Sequence, residues 1–247
     1  MDSLQTRIAI SATFLLLYGM LFVYSASYPL ALRAYGDQFA LLMRQLVGAG
    51  LGLVLLAILW RIDYHLWAQI DDLLLLGVFL ASLLTLFPGV AVGGRWLRLG
   101  PFSFQPTELG KLTLVLYVAS SLVRRGERIR TFQEGVAPYL TVLGAFGLVL
   151  ALQPDFGMFV LYTSLTAFLL FVGGVALKPL FATAASLVPV GGLLLLAAPY
   201  RLGRLLAFLN PVAYRDTYGY QVYQSFVAIG AGGCLLYTSD AADAGLG

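Results

Sequence analysis

Seven apolar runs follow one another along this 247-residue chain, near residues 8–28, 39–60, 72–88, 107–123, 136–152, 156–174 and 181–200. A helix needs about 20 mostly apolar residues to cross the hydrocarbon core of a bilayer. The runs therefore predict an all-α fold, a polytopic transmembrane helix bundle with about seven spans. Charge agrees with length. Only 11% of residues are charged and 60% are hydrophobic, whereas soluble domains carry about 25% charged residues.

The same composition narrows the chemistry. A net charge of +3 comes without a basic face, so nucleic acid is not an expected partner. Cys234 is the only cysteine, which excludes an intrachain disulfide, and His65 is the only histidine. No Cys/His cluster exists to hold zinc or haem. The first apolar run, Ile8–Tyr28, is 21 residues long. A signal-peptide core is usually ~7–15 residues, so the run reads as an uncleaved first span, although Ser25-Ala26-Ser27 imitates a cleavage site.

Arg124, Arg125, Arg128 and Arg130 form the dense basic group that topology rules place in the cytoplasm. The N-terminus then lies inside, and the loops at 29–38, 89–106, 153–155 and 201–216 lie outside. Arg33, Arg95, Arg98, Arg201, Arg204 and Arg215 all fall in those outer segments. Positive-inside bias alone would not keep them there. They suit an anionic ligand; a locally odd topology is the competing explanation.

The segment Gly93–Lys111, GGRWLRLGPFSFQPTELGK, is where function is expected. A mere connection needs neither Arg95-Trp96 nor Arg98. Trp96 also fits an interfacial anchor. Two outer loops end alike: Gln105-Pro106-Thr107-Glu108 opens the fourth run and Gln153-Pro154-Asp155 the sixth. Proline suits the first helical turn, and a carboxylate there is favoured by the helix dipole, so Glu108 and Asp155 have a sufficient structural reason. The functional reading adds a common polar cavity. Glu108 and Lys111 stand three residues apart, where they can pair, and ionisable groups at membrane depth mark functional sites by default. Arg44 either snorkels to the interface or pairs with a carboxylate. His65 reads as structural, in the turn RIDYHLWAQID. Gly48 and Gly52 are a weak helix-packing signal. The aromatic, arginine-bearing segment from Arg201 is too polar to span and is expected to lie over the cavity as a lid or re-entrant element.

Three passages together resemble the SEDS family (shape, elongation, division, sporulation): GGRWLRLGPFSFQPTELGKL at 93–112, ALQPDFGMFVLY at 151–162, and FLNP…GYQVYQSFVAIGAGG at 208–233. Phe208-Leu209-Asn210-Pro211 and Gly100-Pro101-Phe102-Ser103-Phe104 look closer to the FtsW branch than to the RodA branch. The resemblance implies a ten-span protein of the bacterial inner membrane, at the septum if the FtsW likeness holds. It implies a peptidoglycan glycosyltransferase that polymerises lipid II and works with a class B penicillin-binding protein and other divisome or elongasome proteins. Carried over by position, Arg95 and Trp96 match the family's Arg-Trp pair. Glu108 and Lys111 match Gln-Pro-Ser-Glu-x-x-Lys, with Thr107 for the serine. Asp155 closes Gln-Pro-Asp, and Gln221 lies in Gly-Tyr-Gln. With Arg201, Arg204 and Arg215 these are the expected substrate-binding residues.

After Gly233 the resemblance stops. The family continues into a His-Thr-Asp-Phe passage with its catalytic aspartate, whereas this chain reads CLLYTSDAADAGLG. Residues 1–233 are expected to be the N-terminal part of a SEDS membrane domain and 234–247 a non-native tail. No catalytic residue is then expected in the chain, which is predicted to be inactive as written, and Asp240 and Asp243 are not substitutes. No cofactor is predicted; a divalent cation is the alternative to arginines for neutralising pyrophosphate. A lipid II flippase and a divisome scaffold are the rival readings.

Overall fold

The computed structural model describes residues 3–87, 89–99, 102–196 and 199–232. Helices occupy all seven predicted runs: α1 (Ser3–Tyr35), α2 (Ala40–Leu59), α3 (Tyr64–Leu84), α4 (Pro106–Arg125), α6 (Ala137–Leu152), α7 (Phe156–Val172) and α8 (Leu177–Leu196). A short α5 (Phe132–Gly135) precedes α6, and α9 (Pro199–Leu209) and α10 (Tyr220–Gly232) follow α8. Among the described residues three helices, Thr6–Tyr35, Ala40–Leu59 and Tyr64–Leu84, are long and apolar enough to cross a membrane, and α6 and α7 are shorter apolar helices.

Three boundaries correct the sequence reading. The expected loop at 29–38 is mostly helix, because α1 runs through Pro29 to Tyr35; proline is tolerated within membrane helices. The third helix starts at Tyr64, not near 72, since Asp63 caps it by accepting the His65 N–H at 2.9 Å. That bond and the His65 ring hold the Asp63 carboxyl below the usual carboxylate range. His65 is thus structural, within the first turn of a helix. Finally, the loop at 89–106 contains a three-stranded antiparallel sheet, β1 (Ala91–Val92), β2 (Trp96–Leu99) and β3 (Phe102–Phe104), in that order. β1 pairs with β2 at Val92↔Trp96 and β2 with β3 at Arg98↔Ser103; the first reversal uses Gly93 and Gly94 at φ +61° and +69°, where other residues would be strained.

The chain forms two compact units. Residues 62–191 hold the buried core, in which Leu114, Val118, Tyr139, Phe146, Leu150 and Tyr162 are sealed. Phe146 meets Phe79 and Tyr162 edge-on, with centroids 5.3 and 5.4 Å apart. The α4 helix packs on α3 and α7, and α6 on α7. Because these helices alternate in direction, the ends of α3 and α6 meet the starts of α4 and α7 at one rim, where the sheet also lies. The start of α3 and the end of α4, with Arg124 and Arg125, lie at the opposite rim. Gly126, at φ +53°, ends α4 there. At 20 residues and 1.5 Å per residue, α4 is about 30 Å long, the thickness of a hydrocarbon core.

The other unit comprises residues 1–61 and 192–247. There α1 packs on α2, and the two enclose an apolar cavity of about 790 Å³ lined by Ala12, Leu16, Gly52 and Trp60 among others. Gly52 borders this cavity, and a methyl group added at Gly48 or at Gly52 would meet nothing within 4 Å. Among the described residues Arg44 meets no carboxylate; it donates to the Tyr35 hydroxyl at 3.4 Å and stands over that ring. The segment after α8 forms α9, a run of turns and α10. Gly203 of α9 lies against the Tyr218 ring. The expected tail at 234–247 lies outside the described residues.

Candidate functional site

The hairpin rim gathers most of the predicted residues. Arg95, in the turn between β1 and β2, reaches across to the α6–α7 junction. Its Nε donates to the Gln153 carbonyl at 2.8 Å and its Nη2 to the Pro154 carbonyl at 2.7 Å. These carbonyls lie at the C-terminal end of α6, where a cation is favoured by the helix dipole. A third nitrogen stands 3.8 Å from Asp155.

Asp155 does several things at once. Its Oδ1 accepts the Met158 N–H at 3.3 Å and caps α7, while its Oδ2 accepts from Gln105 Nε2 at 3.4 Å. The helix-start explanation of Asp155 therefore holds, and the same carboxylate ties α7 to Arg95 and to the residue preceding α4. Gln153 is the third part of this junction. Its amide donates to the Ser82 carbonyl and the Thr85 hydroxyl at 3.1 and 2.6 Å, locking α6 to the end of α3. The Gln153 Oε1 is buried with no partner.

Glu108 and Lys111 pair as their spacing predicted, Nζ to Oε2 at 2.6 Å. Both remain partly open to solvent. Beneath them, Tyr162 donates its hydroxyl to the Thr107 carbonyl at 2.7 Å and lies within electrostatic reach of Glu108 and Asp155. Sequence reasoning missed Tyr162, because a tyrosine in FGMFVLYTSL reads as one more membrane aromatic. It missed Gln105 and Gln153 as site residues for a different reason: each was visible only as a neighbour of Pro106 or Pro154.

Trp96 and Arg98 alternate onto one face of β2 and are exposed. Arg95 and Trp96 do not act as one unit: Arg95 is bound to protein carbonyls, and Trp96 presents its ring outward. In the other unit, Arg204 and Gln221 are exposed, and Arg215 pairs with Asp216 at 3.4 Å. Arg201 lies in α9, and its side chain is outside the described part. Among the described residues no group of three or more His, Cys, Asp or Glu side chains is placed to hold a metal ion.

A bundle of membrane-length helices with a polar, charge-bearing junction at one rim defines a multi-pass membrane protein. Residues 5–236 match the family model described as "Cell cycle protein", FtsW/RodA/SpoVE. The chain belongs to that family. It is 35% identical over 226 residues to the Geobacter sp. (strain M18) protein named "Probable peptidoglycan glycosyltransferase FtsW", covering 90% of this chain and 62% of that one. Proteins of the same name from Saccharophagus degradans and Coxiella burnetii are 37% and 39% identical, covering 94% of this chain in each case and 60% and 63% of those proteins. The chain thus spans about three-fifths of the length of these curated relatives. A solved structure described as a peptidoglycan synthase complex coordinating polymerization and crosslinking aligns with a TM-score of 0.64 and 32% identity, over 88% of this chain and 66% of that one.

Proposed function

We propose that this chain supplies the lipid II-holding part of a peptidoglycan glycosyltransferase of the FtsW type. The observation that carries the reading is the hairpin-rim junction, where Arg95, Gln105, Gln153 and Asp155 fasten the starts of α4 and α7 together beside the Glu108–Lys111 pair. Two helix N-termini at one rim favour anionic groups, and lipid II carries a pyrophosphate. Relatives named as glycosyltransferases support the same conclusion.

In the proposed reaction the 4-hydroxyl of one lipid II molecule attacks the anomeric carbon of the growing chain. The new glycosidic bond forms as the bond to undecaprenyl pyrophosphate breaks, and the hydroxyl proton passes to a base. Lys111 is placed to meet phosphate oxygens once its bond to Glu108 opens, and positive charge there stabilises the leaving group. Arg95 holds the hairpin, so that Trp96 and Arg98 face the headgroup. Arg201, Arg204, Arg215 and Gln221 are assigned to the same substrate. A divalent cation is the alternative neutralising charge. We assign no base to residues 1–233.

In this reading the hairpin rim faces outward, and the rim with Arg124–Arg130 faces the cytoplasm with the N-terminus. The protein sits in the inner membrane at the septum, beside a class B penicillin-binding protein. The test is to mix the purified 247-residue chain with labelled lipid II in detergent. Retention of lipid II without polymer is expected, together with loss of retention in Lys111→Met. Absence of any binding would overturn the assignment, and glycan polymer would show that a base is present after all.

A further inference from the structure

At the rim opposite the hairpin, α3, α4 and the segment after α4 line an open polar cavity of about 390 Å³. It is lined by Asp72, Tyr117, Ser121, Arg124, Arg125, Arg128 and Glu134. Its size falls within the ~300–1,000 Å³ of small-ligand sites. The reaction proposed above makes no use of it.

The cavity is built rather than incidental. Arg124 is held by Asp71, with Nη1 at 2.9 Å from both carboxylate oxygens, and approaches Asp72 at 3.6 Å. Arg125 is held by Glu134 and by the Ser121 hydroxyl, the latter at 3.0 Å. Asp71 and Ser121 are 1% and 3% exposed, so these anchors sit in the protein interior. Ser121 also accepts from the buried Tyr139 hydroxyl at 3.2 Å. Two guanidiniums are thereby fixed in place with donors to spare: among the described residues, Nε of Arg124 and Nη2 of Arg125 carry no partner. Arg128 also lines the cavity, and its guanidinium has no partner among the described residues. Arg124, Arg125 and Arg128 balance Asp71, Asp72 and Glu134 in charge, but Arg124 and Arg125 engage all three carboxylates, which leaves the Arg128 guanidinium without one among the described residues.

Spare N–H donors on a planar fork match the oxygens of a phosphate. Basic pockets between helices at the cytoplasmic side of a membrane hold anionic headgroups. We infer that this cavity is a binding site for a phosphate group, supplied by the headgroup of an anionic phospholipid of the adjoining leaflet or by a free phosphate. Arg128 makes the direct contact, with Arg124 and Arg125 beside it. The anchoring carboxylates keep the pocket in shape when it is empty. The inference rests on the orientation above and not on the reaction, so a chain that failed to bind lipid II would leave it standing.

The experiment titrates the purified chain in neutral detergent with short-chain phosphatidylglycerol, with phosphatidylcholine and with inorganic phosphate, read by native mass spectrometry. Phosphatidylglycerol is expected to bind in preference to phosphatidylcholine. Arg128→Gln should weaken that binding about five-fold, the effect of one basic residue near a membrane surface, and Arg128→Lys should restore most of it. Arg130→Gln should leave binding unchanged, because Arg130 lies outside the cavity and pairs with Glu127 at 2.9 Å. Displacement by inorganic phosphate identifies the shared group. Arg128-dependent binding of phosphate without phosphatidylglycerol assigns the site to a soluble ligand. Undiminished binding of both ligands in Arg128→Gln, or equal weakening in Arg130→Gln, overturns the proposal. The Arg128 side chain makes no ion pair or hydrogen bond among the described residues, so an unchanged melting temperature verifies the fold of the variant.

Discussion

The Tyr162 hydroxyl donates a 2.7 Å hydrogen bond to the Thr107 carbonyl, fastening the middle of α7 to the first turn of α4. Both residues are sealed from solvent. The carbonyl belongs to the turn that carries Glu108, so this bond fixes how the Glu108–Lys111 pair is presented at the rim. Tyr162→Phe removes the donor while keeping the ring. Interhelical hydrogen bonds within membranes are worth about 0.6 kcal/mol on average, and a destabilisation near that size is expected in mixed-micelle unfolding. An unchanged stability would mean that the carbonyl finds another partner.

Gly110→Ala tests the same contact from the opposite side. A methyl group there would overlap the Tyr162 hydroxyl and stand 2.9 Å from the ring carbon that bears it. Overpacking typically costs about 1–3 kcal/mol. Combining Gly110→Ala with Tyr162→Phe should recover part of that loss, because the hydroxyl is the nearer obstacle. Strict additivity in the double-mutant cycle would contradict this geometry.

Arg95 is predicted to hold the hairpin in place. Arg95→Ala leaves the Gln153 and Pro154 carbonyls without their donors, and amide hydrogen exchange across 91–104 should accelerate several-fold. The exposure of Arg95, 38%, keeps the expected loss of global stability near 1 kcal/mol, below that of a buried charged bond. Arg95→Lys should rescue little, since a single ammonium cannot reproduce the fork that reaches both carbonyls. Exchange at the wild-type rate in Arg95→Ala would remove Arg95 from this role.

The Arg124–Asp71 pair predicts an asymmetry. Asp71 is 1% exposed and Arg124 45%, so Arg124→Ala strands a buried carboxylate next to Asp72. Breaking a buried pair from one side costs about 3–5 kcal/mol. Asp71→Asn leaves a guanidinium that can turn to water and a side chain that still accepts a hydrogen bond. Its cost should be about a third as large. Thermal unfolding of the two variants decides, and equal losses would contradict the burial difference.

Glu108 and Lys111 should separate ligand binding from folding. Their pair is half open to solvent, and exposed ion pairs contribute about 0–1 kcal/mol. Glu108→Gln and Lys111→Met should therefore both melt near the wild-type temperature, while retention of lipid II falls about ten-fold or more in Lys111→Met, as expected for losing a charge-assisted contact, and does not fall in Glu108→Gln, which frees Lys111. A melting temperature that falls with binding intact would make the pair structural.

Much of this fold was legible in the sequence because apolar length reports membrane helices directly. The pairing of Glu108 with Lys111 was legible too, being local. What escaped was whatever depends on partners distant in sequence. The acidic pair Asp71-Asp72 made the start of α3 look like a polar turn, because hydropathy cannot see Arg124 neutralising Asp71 from α4. The partners of Arg95 are backbone carbonyls, which leave no mark on a sequence. Strand signals are present in the alternation of Trp96-Leu97-Arg98-Leu99 after Gly93-Gly94, yet the arginines and Trp96 make the segment read as a ligand-binding loop rather than as a sheet. The segment from Arg201, expected as a lid or re-entrant element, forms α9, turns and α10 in the unit that also holds residues 1–61.

The α4 helix is secured near both ends. Tyr162 and the Gln105–Asp155 bond hold its start, and Arg124 and Arg125 hold its finish through Asp71 and Glu134. A helix fastened in this way acts as a strut of fixed length, unable to slide past its neighbours to follow the membrane. Thinning or thickening of the bilayer must then be absorbed by tilt of the whole bundle or by the lipids around it. Bilayer thickness becomes a mechanical input that changes the height of the hairpin rim above the membrane while leaving its internal distances intact.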